Sequence, residues 1–322
     1  MVRRGAIAAV IVLLLAATSS YRQIPTTPVI GATTVALAAE ADRRDNPARL
    51  PVSGKTTPVP RIILGAATTS RVVALTFDLD MNAQMAAAAR AGAVWINKDA
   101  LAYLETHNVH ATLFMTGMWA EVYPTLAREL ANNPNFEIGD HSYSHPAFHT
   151  PCYRLEGVSR AEQVRQIQRA QQAIERATGV LPKYFRFPGG CYDRQALDLV
   201  HAAGLTPIQW SVNSIDAFNS YPQQIVSTVL SEVKPGSIVV MHLQGGANAP
   251  ATGLALRLLI PELEQRGYQF LTVSELLAAG TPIQPVDPRE ISEFYQPPPH
   301  GIPTPRRCGW VNGLRSRAWV CR

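Results

Sequence analysis

This sequence predicts a single α/β domain, a (β/α) barrel of about seven units, closed, distorted or partly open. Three observations carry that prediction. Short, nearly continuous apolar runs recur from Arg71 onward, amphipathic stretches separate them, and the residues able to do chemistry follow the runs rather than the helices. Such runs suit strands covered on both faces, and their alternation with helices specifies a parallel sheet. At 322 residues, 47% hydrophobic and 16% charged, the chain can fill one large core and is not a disordered protein. The net charge of +5 is modest. No basic cluster interleaved with aromatics supports a nucleic-acid role.

The chain opens with Met1-Val2-Arg3-Arg4 and an apolar run from Ala6 to Ala17, the charged start and short apolar middle of an export signal. That run falls short of the roughly 20 residues of a membrane span. Residues 1–20 are therefore expected to direct export, either cleaved (near Ser19, or after Ala36-Leu37-Ala38) or kept as a membrane tether. Either way the body is secreted or held at the cell surface. Residues 21–66, rich in Pro, Thr, Ala and Arg, read as a linker, and residues 67–280 as the catalytic domain.

Within that domain the strands are expected at Val72 to Phe77, Ala111 to Thr116, Phe136 to Gly139, Tyr184 to Phe187, Thr206 to Trp210, Ile238 to Met241 and Tyr268 to Val273. The clearest helix begins at Ser159, with Glu162 three residues on as a capping box, and stops at Gly179. Others are expected at Lys98 to His107, Met118 to Ala131, Arg194 to Ala203, Pro222 to Val233, Gly253 to Arg266 and Ser274 to Ala279.

Parallel α/β barrels carry their chemistry on the loops after strand C-termini. Those loops hold Asp78 and Asp80, then His141 and His145, then Arg186, then Asn213 and Asp216, and finally His242. Two imidazoles four positions apart offer two ligands to Zn²⁺, which usually takes three from the protein in a catalytic site and leaves a fourth position to water. A lone H-x-x-x-H is more often a pair of turn or surface histidines. The convergence of five strand ends on carboxylates, histidines and an arginine makes a metal-assisted hydrolase the stronger reading.

In order, Thr76-Phe77-Asp78, His141-Ser142-Tyr143-Ser144-His145, Arg186-Phe187-Pro188-Gly189, Trp210 through Asp216, and Val240-Met241-His242 resemble the polysaccharide deacetylase family (NodB homology domain, carbohydrate esterase family 4) over about Arg71 to Ala279. The resemblance implies that Asp78 is the general base, paired with Arg186, and that His141 and His145 bind the metal beside a second Asp. It further implies that His242 is the general acid oriented by Asp216, that Val240 lines the acetyl pocket and that the Gly189 N–H faces the oxyanion. Trp210 joins the substrate residues, although packing in the barrel is its plainer role. The pattern departs from the family where Leu79 takes the position of the second Asp. Asp80 is expected as the third ligand, a solvent-facing turn residue being the competing reading. Asn213 stands where an acid is common, Ala217 where Trp is usual, and Gly189 replaces an aromatic residue, which would widen the groove.

The expected activity is release of acetate from N-acetylated amino sugars of a polysaccharide, peptidoglycan or another GlcNAc polymer, by a monomer carrying a divalent metal, Zn²⁺ first. An O-acetyl esterase and a glycan-binding protein without catalysis are the alternatives. Four cysteines in an exported chain favour disulfides, and Cys152 with Cys191 and Cys308 with Cys321 is the preferred pairing of three. Residues 281–322 form a Pro-rich tail that ends in a disulfide-closed hairpin turning at Asn312-Gly313.

Overall fold

The computed structural model describes residues 62–244 and 248–285, together with the backbone of two strands, 308–312 and 317–321. The export segment, nearly all of the linker and most of the tail lie outside the described residues. Of the hairpin, Cys308–Asn312 and Arg317–Cys321 pair antiparallel with Cys308 opposite Cys321; their side chains, and so the second disulfide, also lie outside the described set. Among the described residues no helix is long and apolar enough to cross a membrane.

β1 (Gly65–Ala67) is a short strand, and β2 (Val72–Leu79), buried along its whole length, is the central one. β3 (Ala111–Met115), β4 (Phe136–Asp140), β5 (Tyr184–Phe185) and β6 (Thr206–Pro207) follow β2 in parallel on one side. β7 (Val212–Asn213) pairs with β8 (Ser237–His242), which flanks β2 on its other side, while β9 (Gln269–Phe270) pairs in parallel with the start of β2. β10 (Thr281–Ile283) lies antiparallel to β1. The ten strands make one curled sheet, a half-barrel.

The gap between β6 and β8 is spanned by residues placed in the linker on sequence grounds. Ile63 bridges Ile208, donating its N–H to Pro207 O at 3.0 Å and accepting that of Gln209 at 2.8 Å, and Gly65 pairs with Ser237. The folded region thus starts before residue 67 and extends past residue 280. A stretch this polar in aggregate shows no periodicity, yet among its described residues Ile62, Ile63 and Ala66 enter the core.

The helices are α1 (Ala83–Arg90), α2 (Lys98–Thr106), α3 (Gly117–Val122), α4 (Pro124–Asn132), α5 (Arg160–Thr178), α6 (Arg194–Ala202), α7 (Pro222–Glu232), α8 (Thr252–Gln265) and α9 (Val273–Ala279). The helix expected from Met118 to Ala131 is two. Pro124 has no N–H and drives Tyr123 out of the helical region, to φ −122° and ψ 54°, so the chain restarts there. Alanine-rich α1 was not anticipated. At the start of α5, Ser159 Oγ accepts the Glu162 N–H at 3.3 Å, but Glu162 turns to Arg165 and Gln166 instead of completing the box. The full reciprocal box is at Thr272 and Glu275.

Side chains of β2 divide between two cores. Val73, Leu75, Phe77 and Leu79 pack under the helices, whereas Val72 and Ala74 join the cluster on the opposite face with Ile208, Trp210, Ile238 and Val240. This period of two decides which face the last residues of β2 present.

Candidate active site

On β2 the inner face continues from Ala74 through Thr76 and Asp78, and Asp80 just beyond the strand falls into the same series. Leu79 points the other way, fully buried among the helix-side apolar residues. An acid there would be sealed in the core. Asp80 Oδ1 lies 3.3 Å from His141 Nε2 and 3.5 Å from His145 Nε2, and Asp78 Oδ2 lies 3.5 Å from His141 Nε2.

The loop that follows β4 is built to aim its two imidazoles. Ser142 and His145 take left-handed backbone conformations, φ 66° and 63°. Carbonyls of Ser142 and Tyr143 accept the N–H groups of Gly117 and Met118 at the start of α3, at 3.0 and 2.9 Å. From α5, Gln166 Oε1 accepts the N–H of Tyr143 at 3.1 Å and of Ser144 at 2.8 Å. His141 Nδ1–H donates to Arg186 O at 2.9 Å, which fixes the tautomer and leaves Nε2 with a lone pair toward Asp80.

Arg186, fully buried after β5, donates from Nη1 to Asp78 Oδ1 at 2.7 Å and from Nη2 to Thr76 Oγ1 at 2.8 Å. Its guanidinium stacks on Phe114 at 4.0 Å and faces Trp210 at 5.5 Å. Fixed in this way it holds one oxygen of Asp78 and leaves the other toward the histidines.

Across the site stands a second pair. Asp216 Oδ1 accepts His242 Nδ1–H at 2.8 Å and the Ser214 hydroxyl at 2.9 Å, while Oδ2 accepts the His242 N–H at 2.8 Å and the Thr252 hydroxyl at 2.6 Å. Burial opposes charge on both groups, but each stabilises the other. The Asp216 carboxyl is held below the usual carboxylate range, and the His242 ring, with Asp216 against it, is raised to about 10.

Asp80, His141 and His145 bring three ligand atoms within 4.8 Å of one another. Among the described residues, Asp80 Oδ1 and His141 Nε2 are buried without a hydrogen-bond partner. Burial raises the Asp80 carboxyl, yet His145 and His141 hold it well below its ordinary range. Burial pushes His145 down to about 4, so its ring is neutral. Burial likewise disfavours charge on His141, but Asp78 and Asp80 more than offset it and raise the ring above its ordinary value, so Nε2 lies where two carboxylates favour a positive charge. An ionised carboxylate, a neutral imidazole and an orphaned lone pair around one point are a donor set that fits a divalent metal.

The polysaccharide deacetylase family model matches residues 65–208. Over 178 residues the chain is 30% identical to a chitooligosaccharide deacetylase of Azorhizobium caulinodans, 51% of this chain and 80% of that protein. The chain belongs to the polysaccharide deacetylase family. It is also 31% identical over 173 residues to a peptidoglycan-N-acetylglucosamine deacetylase of Bacillus cereus, 54% of this chain and 60% of that one. Among solved structures it resembles a carbohydrate esterase family 4 pseudoenzyme from Bacillus anthracis, with TM-score 0.57 and 27% identity over 68% of this chain and 70% of that one; a mutant of that protein has restored enzymatic activity. The chain spans 51% and 60% of the length of the first curated relatives it matches.

The remaining residues singled out from the deacetylase pattern are placed as follows. Val240 and Trp210 are buried in the inner core. Asn213 Oδ1 accepts the Ile215 N–H at 2.9 Å, and Ile215, at φ 59°, leads into Asp216. Gly189 sits in a turn at φ 62°, and the expected widening beside it is absent: a Cβ there would meet Cys152 Sγ at 2.8 Å. Cys152 and Cys191 form the expected disulfide. Asp140, beside His141, accepts the Ser142 N–H at 2.8 Å, and burial pushes its carboxyl up to about 8. His149 stays outside the cluster, 3.4 Å from Asp193. Sequence reasoning missed Thr76, Ser214, Gln166 and Thr252. Ser214 had a local signal in its spacing to Asp216; Thr252 and Gln166 arrive from distant helices and had none.

Proposed function

We propose that the protein is an exported, metal-dependent hydrolase that removes N-acetyl groups from an N-acetylated polysaccharide and releases acetate, peptidoglycan being the first substrate to try. The observation that carries this reading is the pairing of two opposed arrangements, Asp80, His141 and His145 beside an Arg186-held Asp78, and His242 locked on Asp216. Relatives named as peptidoglycan and chitooligosaccharide deacetylases support the substrate class.

Asp80, His141 and His145 would hold the metal, Zn²⁺ by its suitability for imidazole and carboxylate donors. When bound it supplies Lewis-acid polarisation of the acetyl carbonyl and acidifies a water. Asp78, held in place by Arg186, accepts the proton of the attacking water. The Gly189 N–H faces the oxygen that gains charge. His242, protonated through neutral pH, gives its proton to the departing nitrogen, so that acetate and a free amine leave. Asp216 keeps that ring in one orientation and tautomer.

A catalytically silent glycan-binding protein is the competing reading, favoured by the similarity to a pseudoenzyme. Against it stands the complete set of Asp78, Asp80, His141, His145, Arg186, Asp216 and His242. Acetate release from N-acetylglucosamine oligomers and peptidoglycan, measured before and after chelation and with Zn²⁺ restored, tests the proposal. Chelator-sensitive release is expected. Absence of release with every metal, from a folded protein that still binds glycan, sinks the enzyme reading unless O-acetylated glycans are cleaved, which would make it an esterase.

A further inference from the structure

The turn Pro188–Gly190 has neighbours on two sides. An ideal Cβ on Gly189 would stand 2.8 Å from Cys152 Sγ and 3.2 Å from both Leu155 Cδ1 and Tyr153 Cδ2, and one on Gly190 would stand 2.8 Å from Trp210 Cη2. The turn is therefore clamped between the barrel interior and the segment Thr150 to Gly157. That segment is itself tied down. Cys152 is bonded to Cys191, the residue after the turn and 39 positions away in sequence. Its far end is tied back to the chain just before it by a bridge between Ala147 and Gly157, with the Ala147 N–H donated to Glu156 O at 2.9 Å, and the Leu155 N–H closes a turn on Cys152 O, also at 2.9 Å.

Tyr153 is the residue these restraints present. It takes a left-handed backbone, φ 49°, which is unfavourable for a non-glycine residue and persists only where its surroundings impose it. It also keeps 38% of its surface exposed. A partly exposed tyrosine whose ring edge lies beside Gly189 combines a rigid apolar ring with a polar tip. The C–H faces of pyranose rings pack on such a surface, and two side-chain torsions make the ordering cost small.

We infer that Tyr153 is a specificity-determining residue, the platform on which the sugar ring next to the N-acetylated one stacks, and that the Cys152–Cys191 disulfide holds it in position. The identity of the ligand rests on the deacetylase reading; the platform itself is read by binding.

The test is calorimetric titration of the chelator-treated protein with the β-1,4-linked tetramer of N-acetylglucosamine, alongside turnover of the tetramer and of a small acetyl ester by the Zn²⁺-loaded protein. Tyr153→Ala is expected to weaken tetramer binding and raise its KM by roughly three- to tenfold, with kcat and ester turnover unchanged. Tyr153→Phe, which keeps the ring, stays within about twofold of wild type on the same scale. Reduction of the disulfide reproduces the Tyr153→Ala loss. Unchanged affinity in Tyr153→Ala overturns the inference, as does an equal loss in Tyr153→Phe, a parallel fall in ester turnover, or a wild type that does not bind the tetramer. A wild type that binds the tetramer but releases no acetate refutes the deacetylase reading instead, and the Tyr153 titrations still decide the platform.

Discussion

The site contains two buried acid–imidazole clusters of opposite character. Between Asp80 and the two imidazoles, each contact is longer than a good hydrogen bond, and Asp80 Oδ1 and His141 Nε2 are left without hydrogen-bond partners. Around His242 and Asp216, each carboxylate oxygen takes two short hydrogen bonds. Buried polar atoms without partners are costly, so an under-supplied cluster implies a group still to be bound, whereas a saturated one is a finished device for holding a proton. Similar residues serve different purposes because one cluster lacks the hydroxyl and amide donors that Ser214, Thr252 and the His242 backbone give the other.

Breaking either side should expose that division, and the largest effect is expected at the boundary of the open cluster. Asp78→Asn should lower kcat by about 10²–10⁴-fold while metal affinity is little changed, seen by comparing acetate release with zinc titration. His141→Ala should remove a ligand and lower metal affinity by at least about 10²-fold, measured by competition with a chromogenic chelator. In the closed cluster, Asp216→Asn should cost roughly 10²-fold in kcat and move the alkaline limb of the pH profile down. The sign follows from the pair: His242 is raised to about 10, so the stability from its charge is fully present below the ordinary histidine value and is lost as pH rises through about 10. Without the Asp216 carboxylate, burial still disfavours the charged ring and only Asp80 and Asp78 oppose it, so the value falls.

A substitution between the clusters sharpens the comparison. Leu79→Asp restores the adjacent carboxylates of the family pattern but points into the helix-side core, so it should destabilise by about 3–5 kcal/mol without improving metal affinity. Thermal unfolding and zinc titration of one preparation check both halves. The smallest effect is expected from Thr252→Ala, which removes one of four hydrogen bonds to Asp216 and should cost about 1–2 kcal/mol in stability, read by denaturant unfolding.

The strand–helix alternation and the loops that carry the site were legible because apolar runs and motif residues are local signals. The side Leu79 faces was legible in principle too, since alternation along β2 fixes it once the strand is known to reach Leu79. Other features had no local trace. Ile63 closes the gap in the sheet from inside a stretch with the composition of a linker. Thr252 reaches Asp216 from a helix 36 positions away. The groove beside Gly189 looked wider in sequence than it is because Cys152 and Tyr153, which occupy that space, are remote from it along the chain.

The pairing of β1 with β10 has a consequence for how the domain can be used. Gly65 lies opposite Ile283, so the chain enters and leaves the folded region at neighbouring points on one edge of the sheet. A domain whose ends meet in this way behaves as a cassette: it can be spliced into a surface loop of an unrelated host, or its ends joined and a new opening cut elsewhere, with the strands that carry Asp78 and His242 left continuous.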